Sequence, residues 1–253
     1  MKIQMPIDKN IHIYHFTKSE TALLYILPQL QLRLSSYLES NDPKENKTFG
    51  YWSIFDGIDS FTQLEMRRNF ESYLKDNCKQ LCFSTDYMLP NSCIWRNGFD
   101  HPSMWAHYAD NSKGVCLVIN RADFVKENLI DDSLDIIDKV IYEPCFEFPK
   151  MNEFLWREDN LNYFNSFLRE NAKEIFFKKH LHWRHEDEYK IIGLGNKMFY
   201  SIKDSLKGVY IGVDFKEMLK PMLKKLLPEN VWVEKIWIDE GSFCAISDDL
   251  NNI

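Results

Sequence analysis

The sequence predicts an α+β fold in which a mixed β-sheet is flanked by helices. Short runs rich in β-branched and aromatic residues are separated by longer segments with helical periodicity, which is typical of this fold class. The chain of 253 residues is 45% hydrophobic, enough to bury a substantial core. Because no repeat or low-complexity linker divides it, residues 1–253 are expected to form a single domain with its core over about residues 11–240.

The first part of the chain is expected to supply three strands and two helices. Residues 11–17 alternate in character and predict a strand. Apolar residues spaced three and four apart then predict a helix that ends near Pro28, and residues 32–36 predict a short strand. Residues 51–79 have the pattern of an amphipathic helix, and the apolar run 81–86 predicts a strand that ends in hydroxyl side chains.

The middle of the chain continues the mixture of helix and strand. Residues 102–110 predict about two turns of helix capped by Ser103, and the apolar run 115–120 predicts a strand buried on both faces. A strand is expected at 139–142, and residues 151–180 form the longest helical pattern. The last predicted elements are a strand, a helix and a strand at 209–213, 216–227 and 231–238.

Composition and motifs do not favour several common classes of function, although a local basic groove for nucleic acid is not excluded. The net charge of -7 and the pI near 5.6 provide no overall basic field for a polyanion. The sequence has no G-x-G-x-x-G and no P-loop, which makes the usual Rossmann and P-loop interpretations unfavourable. It has no apolar signal region and no run of about 18 apolar residues, so we expect a cytoplasmic protein without membrane contact. The six dispersed cysteines are expected to be reduced.

The stretch from His180 to Gly193 predicts a polar turn that leads into a buried strand. On an extended chain, Glu186 and Glu188 point to the same side. Two carboxylates on one face would serve as a general acid/base pair or bind ribose hydroxyls, although a solvated acidic turn is the simpler alternative. The nearby histidines are a possible zinc site, but no convincing Cys or Asp partners accompany them, so no metal is predicted: His180, His182 and His185.

Several short blocks along the chain form a specific combination. They are Asn41-Asp42-Pro43, Cys82-Phe83-Ser84, Met104-Trp105-Ala106-His107-Tyr108-Ala109 with Gly114 following, and Trp183-x-x-Glu186-x-Glu188-Tyr189-Lys190. This combination, spread from about Tyr14 to about Ile192, resembles the bacterial family called domain of unknown function 2971. The family pattern usually has arginine where this chain has Lys190, so a bidentate contact at that position would be weaker here.

A more distant resemblance involves the start of the chain. The segment Ile13-Tyr14-His15-Phe16-Thr17, followed by a helix and Leu32-Arg33-Leu34, is similar to the start of the NAD-dependent ADP-ribosyltransferases. These enzymes include DNA-modifying toxins of toxin-antitoxin systems. The resemblance implies an ADP-ribosyltransferase-like split mixed β-sheet, with NAD as a substrate. It matches His15 to the residue that holds NAD, Phe83-Ser84-Thr85 to the supporting strand and Glu186-x-Glu188 to the catalytic turn.

The resemblance also assigns roles to these residues. Cleavage of the bond between nicotinamide and ribose develops positive charge on the sugar, which Glu188 would stabilise. Glu186 would orient or deprotonate the acceptor, and Trp105 or Tyr108 would stack on nicotinamide. The residues expected to contact NAD are Tyr14, His15, Arg33, Ser84, Trp105, His107, Tyr108 and Lys190.

Some of these residues have a purely structural alternative. His15 is equally suited to a core position with its hydrogen bond satisfied, and Trp105 and Tyr108 are common core residues. His107 would then bind a backbone carbonyl, and Arg33 would be an exposed strand residue.

The leading functional hypothesis is an ADP-ribosyltransferase-like enzyme that uses NAD to modify a protein or nucleic acid, in phage defence or as a toxin with an antitoxin or defence partner. The alternative is a non-catalytic module that binds a nucleotide or a protein. A third hypothesis is a metal-dependent nuclease that uses Asp42, Glu186 and Glu188.

Overall fold

The computed structural model describes residues 11–43, 45, 60–88, 95–128, 135–145, 149, 160–239 and 242–247. The strands are β1 (His12–Thr17), β2 (Gln31–Arg33), β3 (Ser35–Ser36), β4 (Cys78–Thr85), β5 (Tyr87–Met88), β6 (Trp95–Arg96), β7 (Val115–Asn120), β8 (Ile136–Lys139), β9 (Ile141–Glu143), β10 (Lys178–His180), β11 (Glu188–Leu194), β12 (Phe199–Ser201), β13 (Leu206–Ile211), β14 (Trp232–Asp239) and β15 (Ser242–Ser247). The helices are α1 (Ser19–Thr21, continued by the π-helical turn Ala22–Ile26 and by Leu27–Gln29), α2 (Ser60–Asn77), α3 (Pro102–His107), α4 (Arg121–Asn128), α5 (Asn160–Glu170), α6 (Ala172–Phe176) and α7 (Lys220–Leu226). Short 3₁₀ segments lie at Tyr37–Glu39, Leu181–Glu186 and Glu217–Leu219.

Nine strands form the main sheet in the described part of the chain. Eight follow the order β15-β14-β13-β7-β1-β4-β11-β8, and β3 pairs with one end of β4. The β13 and β14 strands are parallel, whereas the other neighbours are antiparallel. This mixed sheet with its flanking helices confirms the predicted fold class. Across the same residues, no helix is long and apolar enough to cross a membrane.

The central strand β7 confirms the prediction of a strand buried on both faces. All residues from Val115 to Ile119 are buried, and β7 pairs with β1 on one side and with β13 on the other. Successive side chains of a strand alternate between the faces of the sheet. Leu117 therefore joins one apolar cluster, and Cys116 and Val118 join another.

A third apolar cluster joins α2 to α5 and α6. The ring of Phe70 in α2 lies 5.2 Å from the ring of Phe164 in α5, and Phe176 of α6 is fully buried in the same cluster. The predicted helix over residues 151–180 is wrong at its end, because Lys178–His180 forms β10 and pairs in parallel with β9. These backbone groups bond between strands instead of continuing the helix. Residues 51–59 and 151–159 of the predicted helices lie outside the described residues.

Helix α3 begins at Pro102, with its N-cap two residues earlier than predicted. His101 is the N-cap, with φ -119° and ψ 94°, and Pro102 occupies the first turn, where Ser103 had been expected as the cap. Proline suits this position because its fixed φ matches the helix and the missing N–H would have no partner within the helix. The His101 side chain is only 3% exposed.

The buried imidazole of His101 makes stability depend on pH. Burial, reinforced by the nearby His185, lowers the pKa of His101 to about 4, against about 6.5 in the unfolded chain. The unfolded state then binds a proton between these two values, so lowering the pH through this window destabilises the fold. The wild type should lose unfolding free energy between pH 7 and pH 5. We expect this loss to be about 2 kcal/mol smaller in His101→Gln, as measured by urea denaturation.

The control for this prediction is His107→Gln, since His107 lies on the same helix and is exposed. This variant should keep the pH dependence of the wild type. Equal pH dependence in wild type and His101→Gln would contradict the prediction.

The sheet opens between β1 and β4. These strands pair only at Ile13 with Thr85 and at Tyr14 with Ser84, although β1 has six residues and β4 has eight. Towards its other end, β4 pairs with β3, with Ser35 opposite Gln80. The backbone of β4 between these two contacts is therefore not paired with β1, and a space lies beside it.

Candidate functional site

A cavity of about 240 Å³ lies where β1 and β4 separate. This volume is slightly below that of typical small-molecule pockets, which are about 300–1,000 Å³. Seven of the predicted site residues line it: Tyr14, His15, Arg33, Ser84, Tyr108, Glu186 and Glu188. Residues that are more than 150 positions apart in the sequence therefore share one space. Their roles remain predictions.

One wall of the cavity is a face of β4. Gln80, Cys82 and Ser84 alternate along this strand and all line the cavity. Glu188 of β11 stands directly opposite Ser84 in the antiparallel ladder. The Ser84 hydroxyl is fully buried, and neither it nor the side-chain oxygen of Gln80 has a hydrogen-bond partner among the described residues. Because buried polar groups normally have partners, these two atoms mark places where a ligand would bind.

His15 provides a hydrogen-bond acceptor at the cavity. Its Nδ1 lies 3.2 Å from the carbonyl oxygen of Cys82. A carbonyl only accepts hydrogen bonds, so we assign the proton to Nδ1, which leaves Nε2 as an acceptor in the neutral ring. Burial lowers the pKa of His15, although the bond to Cys82 opposes this, and the ring is neutral near pH 7. A neutral His15 would therefore accept a hydrogen bond from a ligand at Nε2.

A buried row of alternating charges underlies the cavity. The hydroxyl of Tyr108 donates to Glu186 Oε1 at 2.7 Å, and the Lys179 ammonium lies 2.9 Å from Glu186 Oε2 and 2.7 Å from Glu188 Oε2. Lys190 lies 3.7 Å from Glu188 Oε1 and also pairs with Glu45. The five charged residues of this row are all less than 7% exposed: Glu45, Lys179, Glu186, Glu188 and Lys190. Each buried charge therefore has an opposite charge beside it, which offsets its desolvation.

This arrangement holds the charges in their ionised forms. Burial opposes ionisation of Glu188, but the ammonium groups of Lys190 and Lys179 outweigh it and lower the pKa of this carboxyl. Burial also opposes the charge on Lys179, but Glu188, Glu45 and Glu186 raise its pKa above the usual range. The pKa of Tyr108 is raised by burial and by Glu186, so its hydroxyl remains a donor. Glu188 is thus a fixed anion at the cavity wall.

Glu186 and Glu188 reach the same cavity through a turn. Glu186 ends a 3₁₀ segment, and Asp187 adopts the left-handed conformation with φ 40° before Glu188 begins β11. The expected extended geometry is therefore wrong for Glu186, although both acids line the cavity. Both oxygens of Glu186 are occupied, by Tyr108 and by Lys179. Glu186 is arranged to hold these two side chains and would have to release one of them to act as a base.

Three predicted site residues lie outside the cavity lining. Trp105 is fully buried, packs edge-on against Phe16 and donates from Nε1 to the carbonyl of Phe99 at 2.7 Å, so it is a core residue. His107 is exposed, with its ring 6.5 Å from that of Tyr108. Lys190 is fully buried among Glu45 and Glu188. Of the two aromatic residues that were expected to stack on nicotinamide, only Tyr108 reaches the cavity.

Sequence reasoning did not select several residues that line the cavity. Gln80 was missed because it lies just before the predicted strand 81–86, whereas β4 begins at Cys78 and places Gln80 on the same face as Cys82 and Ser84. Lys179 gave no signal, since it ends a segment interpreted as a helix. Trp183 lies beside the acid pair in sequence, and its half-buried ring is 5.6 Å from the Lys179 ammonium. Trp183, which also lines the cavity, is therefore better placed than Trp105 to stack on a ligand.

The histidines of the turn interact with their own backbone. His180 Nδ1 accepts from the backbone N–H of His182 at 3.3 Å, and His185 Nδ1 lies 3.0 Å from the carbonyl of His182. Within the ranges that the structure describes, no group of three His, Cys, Asp or Glu side chains is arranged to hold a metal ion.

The fold and the site together define an α+β protein with a cavity built on a buried carboxylate and lysine row. Residues 104–191, from α3 to β11, match a family described as "Protein of unknown function (DUF2971)". This similarity covers Tyr108, Lys179, Glu186 and Glu188, whereas His15, Arg33 and Ser84 lie outside it. No curated protein and no solved structure matches the chain.

Proposed function

We propose that the cavity binds NAD⁺ and that the protein transfers ADP-ribose from it to a macromolecular acceptor, either a protein or a nucleic acid. The observation that carries this proposal is the meeting of His15 from β1, Ser84 from β4 and Glu188 from β11 in one cavity. These are the three roles that the resemblance to ADP-ribosyltransferases implied. Their convergence supports the proposal because nothing in the linear order of the sequence requires it.

The charge of the cavity suits a cationic nicotinamide. Among the residues that the structure describes, four carboxylates line it, from Glu39, Asp42, Glu186 and Glu188, together with two cations, Arg33 and Lys179. This excess of negative charge favours a positively charged ring in the cavity. The exposed Arg33 at its margin would hold the diphosphate. Since the cavity is small, part of a dinucleotide would extend beyond it.

The proposed reaction uses Glu188 as an electrostatic stabiliser. The bond between ribose C1 and the nicotinamide nitrogen breaks, and its electron pair leaves with nicotinamide, which becomes neutral. The carboxylate of Glu188 stabilises the positive charge that develops on the ribose. A lone pair of the acceptor forms the new bond to C1, and the acceptor proton passes to solvent. Lys179 and Lys190 hold Glu188 in place during these steps.

Two labelled forms of NAD⁺ test the proposal. One carries the label in the adenylate phosphate and the other in the nicotinamide ring, and each is incubated with the protein and with protein or nucleic-acid extracts. Transfer predicts adenylate label on an acceptor and an equal amount of free nicotinamide. Cys82→Phe, which would fill the cavity, should abolish both signals, whereas Cys145→Phe at an exposed cysteine should keep them. No acceptor label with any extract would contradict the transferase proposal.

Ser84→Ala provides a test of ligand binding. Because the Ser84 hydroxyl is buried without a partner among the described residues, its removal should leave the unfolding free energy unchanged or slightly raised. A lost hydrogen bond to the ligand should weaken NAD⁺ binding about fivefold to tenfold, as measured by calorimetry. Ser36→Ala is the matched control, because the hydroxyl of Ser36 is also buried without a described partner but does not line the cavity. Equal affinity in both variants would contradict a ligand-binding role for Ser84.

A non-catalytic binding module is the second candidate. It is favoured by the occupation of both Glu186 oxygens and by the ion pairs of Glu188 with two lysines, which a purely structural network would also show. Binding of NAD⁺ without release of nicotinamide would support this candidate. The nuclease hypothesis is less favourable, because the Lys179 ammonium occupies the space between Glu186 and Glu188 that a divalent cation would need.

A further inference from the structure

Gln80 places a buried amide in the cavity. It is 5% exposed and lines the cavity, and its Oε1 has no hydrogen-bond partner in the described part of the chain. The strand itself is held elsewhere, because Ser35 pairs with Gln80 and its hydroxyl donates to the Gln80 backbone carbonyl at 3.4 Å. The side-chain amide is thus not needed for these contacts. A buried amide oxygen without a described partner indicates a ligand group at this position.

The positions along β4 give the cavity a direction. Gln80 and Ser84 are four residues apart on the same strand face, which corresponds to roughly 13 Å. Glu188 is opposite Ser84, so the proposed bond cleavage lies at that end. Cys82 stands between Gln80 and Ser84 on this strand face, and Arg33 lies two residues before Ser35, whose partner in the ladder is Gln80. Arg33 and Cys82 both line the cavity.

This order matches the parts of a dinucleotide. The reacting ribose would lie near Ser84 and Glu188, and the diphosphate near Arg33. The group that remains for Gln80 is the adenine base. The nicotinamide ring is bonded directly to the reacting ribose carbon, so its own amide would stay at the Glu188 end. A glutamine amide presents one donor and one acceptor in a plane, and this edge pairs with the amino group and the adjacent ring nitrogen of adenine.

We infer that Gln80 recognises the adenine base of the bound dinucleotide and sets the specificity of the cavity for adenine. This inference rests on the proposed function, because it takes the reacting end of the ligand to lie at Glu188. Gln80 acts in binding and takes no part in the chemical step.

The test compares three ligands by calorimetry: NAD⁺, its analogue with unsubstituted purine in place of adenine, and nicotinamide mononucleotide, which has no adenosine. The wild type should bind NAD⁺ about tenfold more tightly than the purine analogue, which lacks the amino donor and leaves the acceptor of Gln80 without a partner. Gln80→Leu should bind NAD⁺ about tenfold more weakly than the wild type and should no longer distinguish NAD⁺ from the analogue. Its affinity for the mononucleotide should stay unchanged. Gln31→Leu, at an exposed glutamine of β2 outside the cavity lining, should behave as the wild type.

Each outcome separates this inference from the proposed function. The role of Gln80 alone is overturned if Gln80→Leu binds NAD⁺ as tightly as the wild type does, or if the wild type binds NAD⁺ and the purine analogue equally well. If the wild type binds neither NAD⁺ nor the mononucleotide, the proposed function fails. Binding of AMP then tests Gln80 directly. Binding by the wild type that is lost in Gln80→Leu upholds adenine recognition, whereas a wild type that does not bind AMP overturns it. If Gln80→Leu does not fold, the isosteric Gln80→Glu replaces it, and the same losses are expected because the donor is removed.

Discussion

Replacing Glu188 with glutamine is expected to reduce the rate of ADP-ribose transfer by about 10²–10³-fold. Glutamine keeps the shape of the side chain but removes the negative charge that would stabilise the developing positive charge on ribose. Because this charge develops during bond cleavage, the loss should fall mainly on kcat, with KM for NAD⁺ changed much less. Initial rates of nicotinamide release over a range of NAD⁺ concentrations measure both parameters.

A matched control is needed because Glu188 also belongs to the buried charge row. Glu234→Gln makes the same chemical change on β14, separated from β11 in the sheet by β13, β7, β1 and β4. This variant should keep the wild-type rate. Urea denaturation must show that Glu188→Gln is folded under the assay conditions, where Lys179 retains Glu186 and Lys190 retains Glu45 as partners. A folded Glu188→Gln protein with the wild-type kcat would remove Glu188 from the mechanism.

Replacing Lys190 with methionine is expected to lower the free energy of unfolding by about 3–5 kcal/mol. Lys190 is fully buried and pairs with Glu45, while its ammonium lies 3.7 Å from Glu188. Methionine fills similar space, so the main effect is to leave Glu45 buried without this opposite charge. Loss of one partner of a buried ion pair is costly because the other cannot regain water. Urea denaturation monitored by circular dichroism measures the change.

Lys235→Met is the control for this prediction, because it makes the same substitution at the surface. Lys235 also lies on a strand and pairs with Glu217 at 3.1 Å, but both side chains are at least one-third exposed. Water and salt screen such pairs, so the expected change in unfolding free energy is about 0–1 kcal/mol. Similar values for the two lysine variants would show that the buried row does not stabilise the fold in the way described.

Several parts of the candidate site followed from local sequence pattern. The strand over 115–120, the turn followed by a strand after His180, and the acids Glu186 and Glu188 were all recognisable, because apolar runs and strand alternation are local properties. The position of Trp105 could not be predicted in this way, because the resemblance offered it for ligand stacking whereas its ring is fully buried in the core. Helical spacing gives the residues that share a face, but it does not give what that face meets.

The sequence by itself determined the fold class, the main strands and the identity of the acid pair, since burial of apolar runs constrains these elements locally. Tertiary structure decided the separation of β1 from β4, the positions of His15 and Gln80 beside that opening, and the insertion of Lys179 between Glu186 and Glu188. These features depend on contacts between segments far apart in the chain. A charged side chain carries no local signal of the partner that will offset its desolvation, because that partner is fixed only when the sheet assembles.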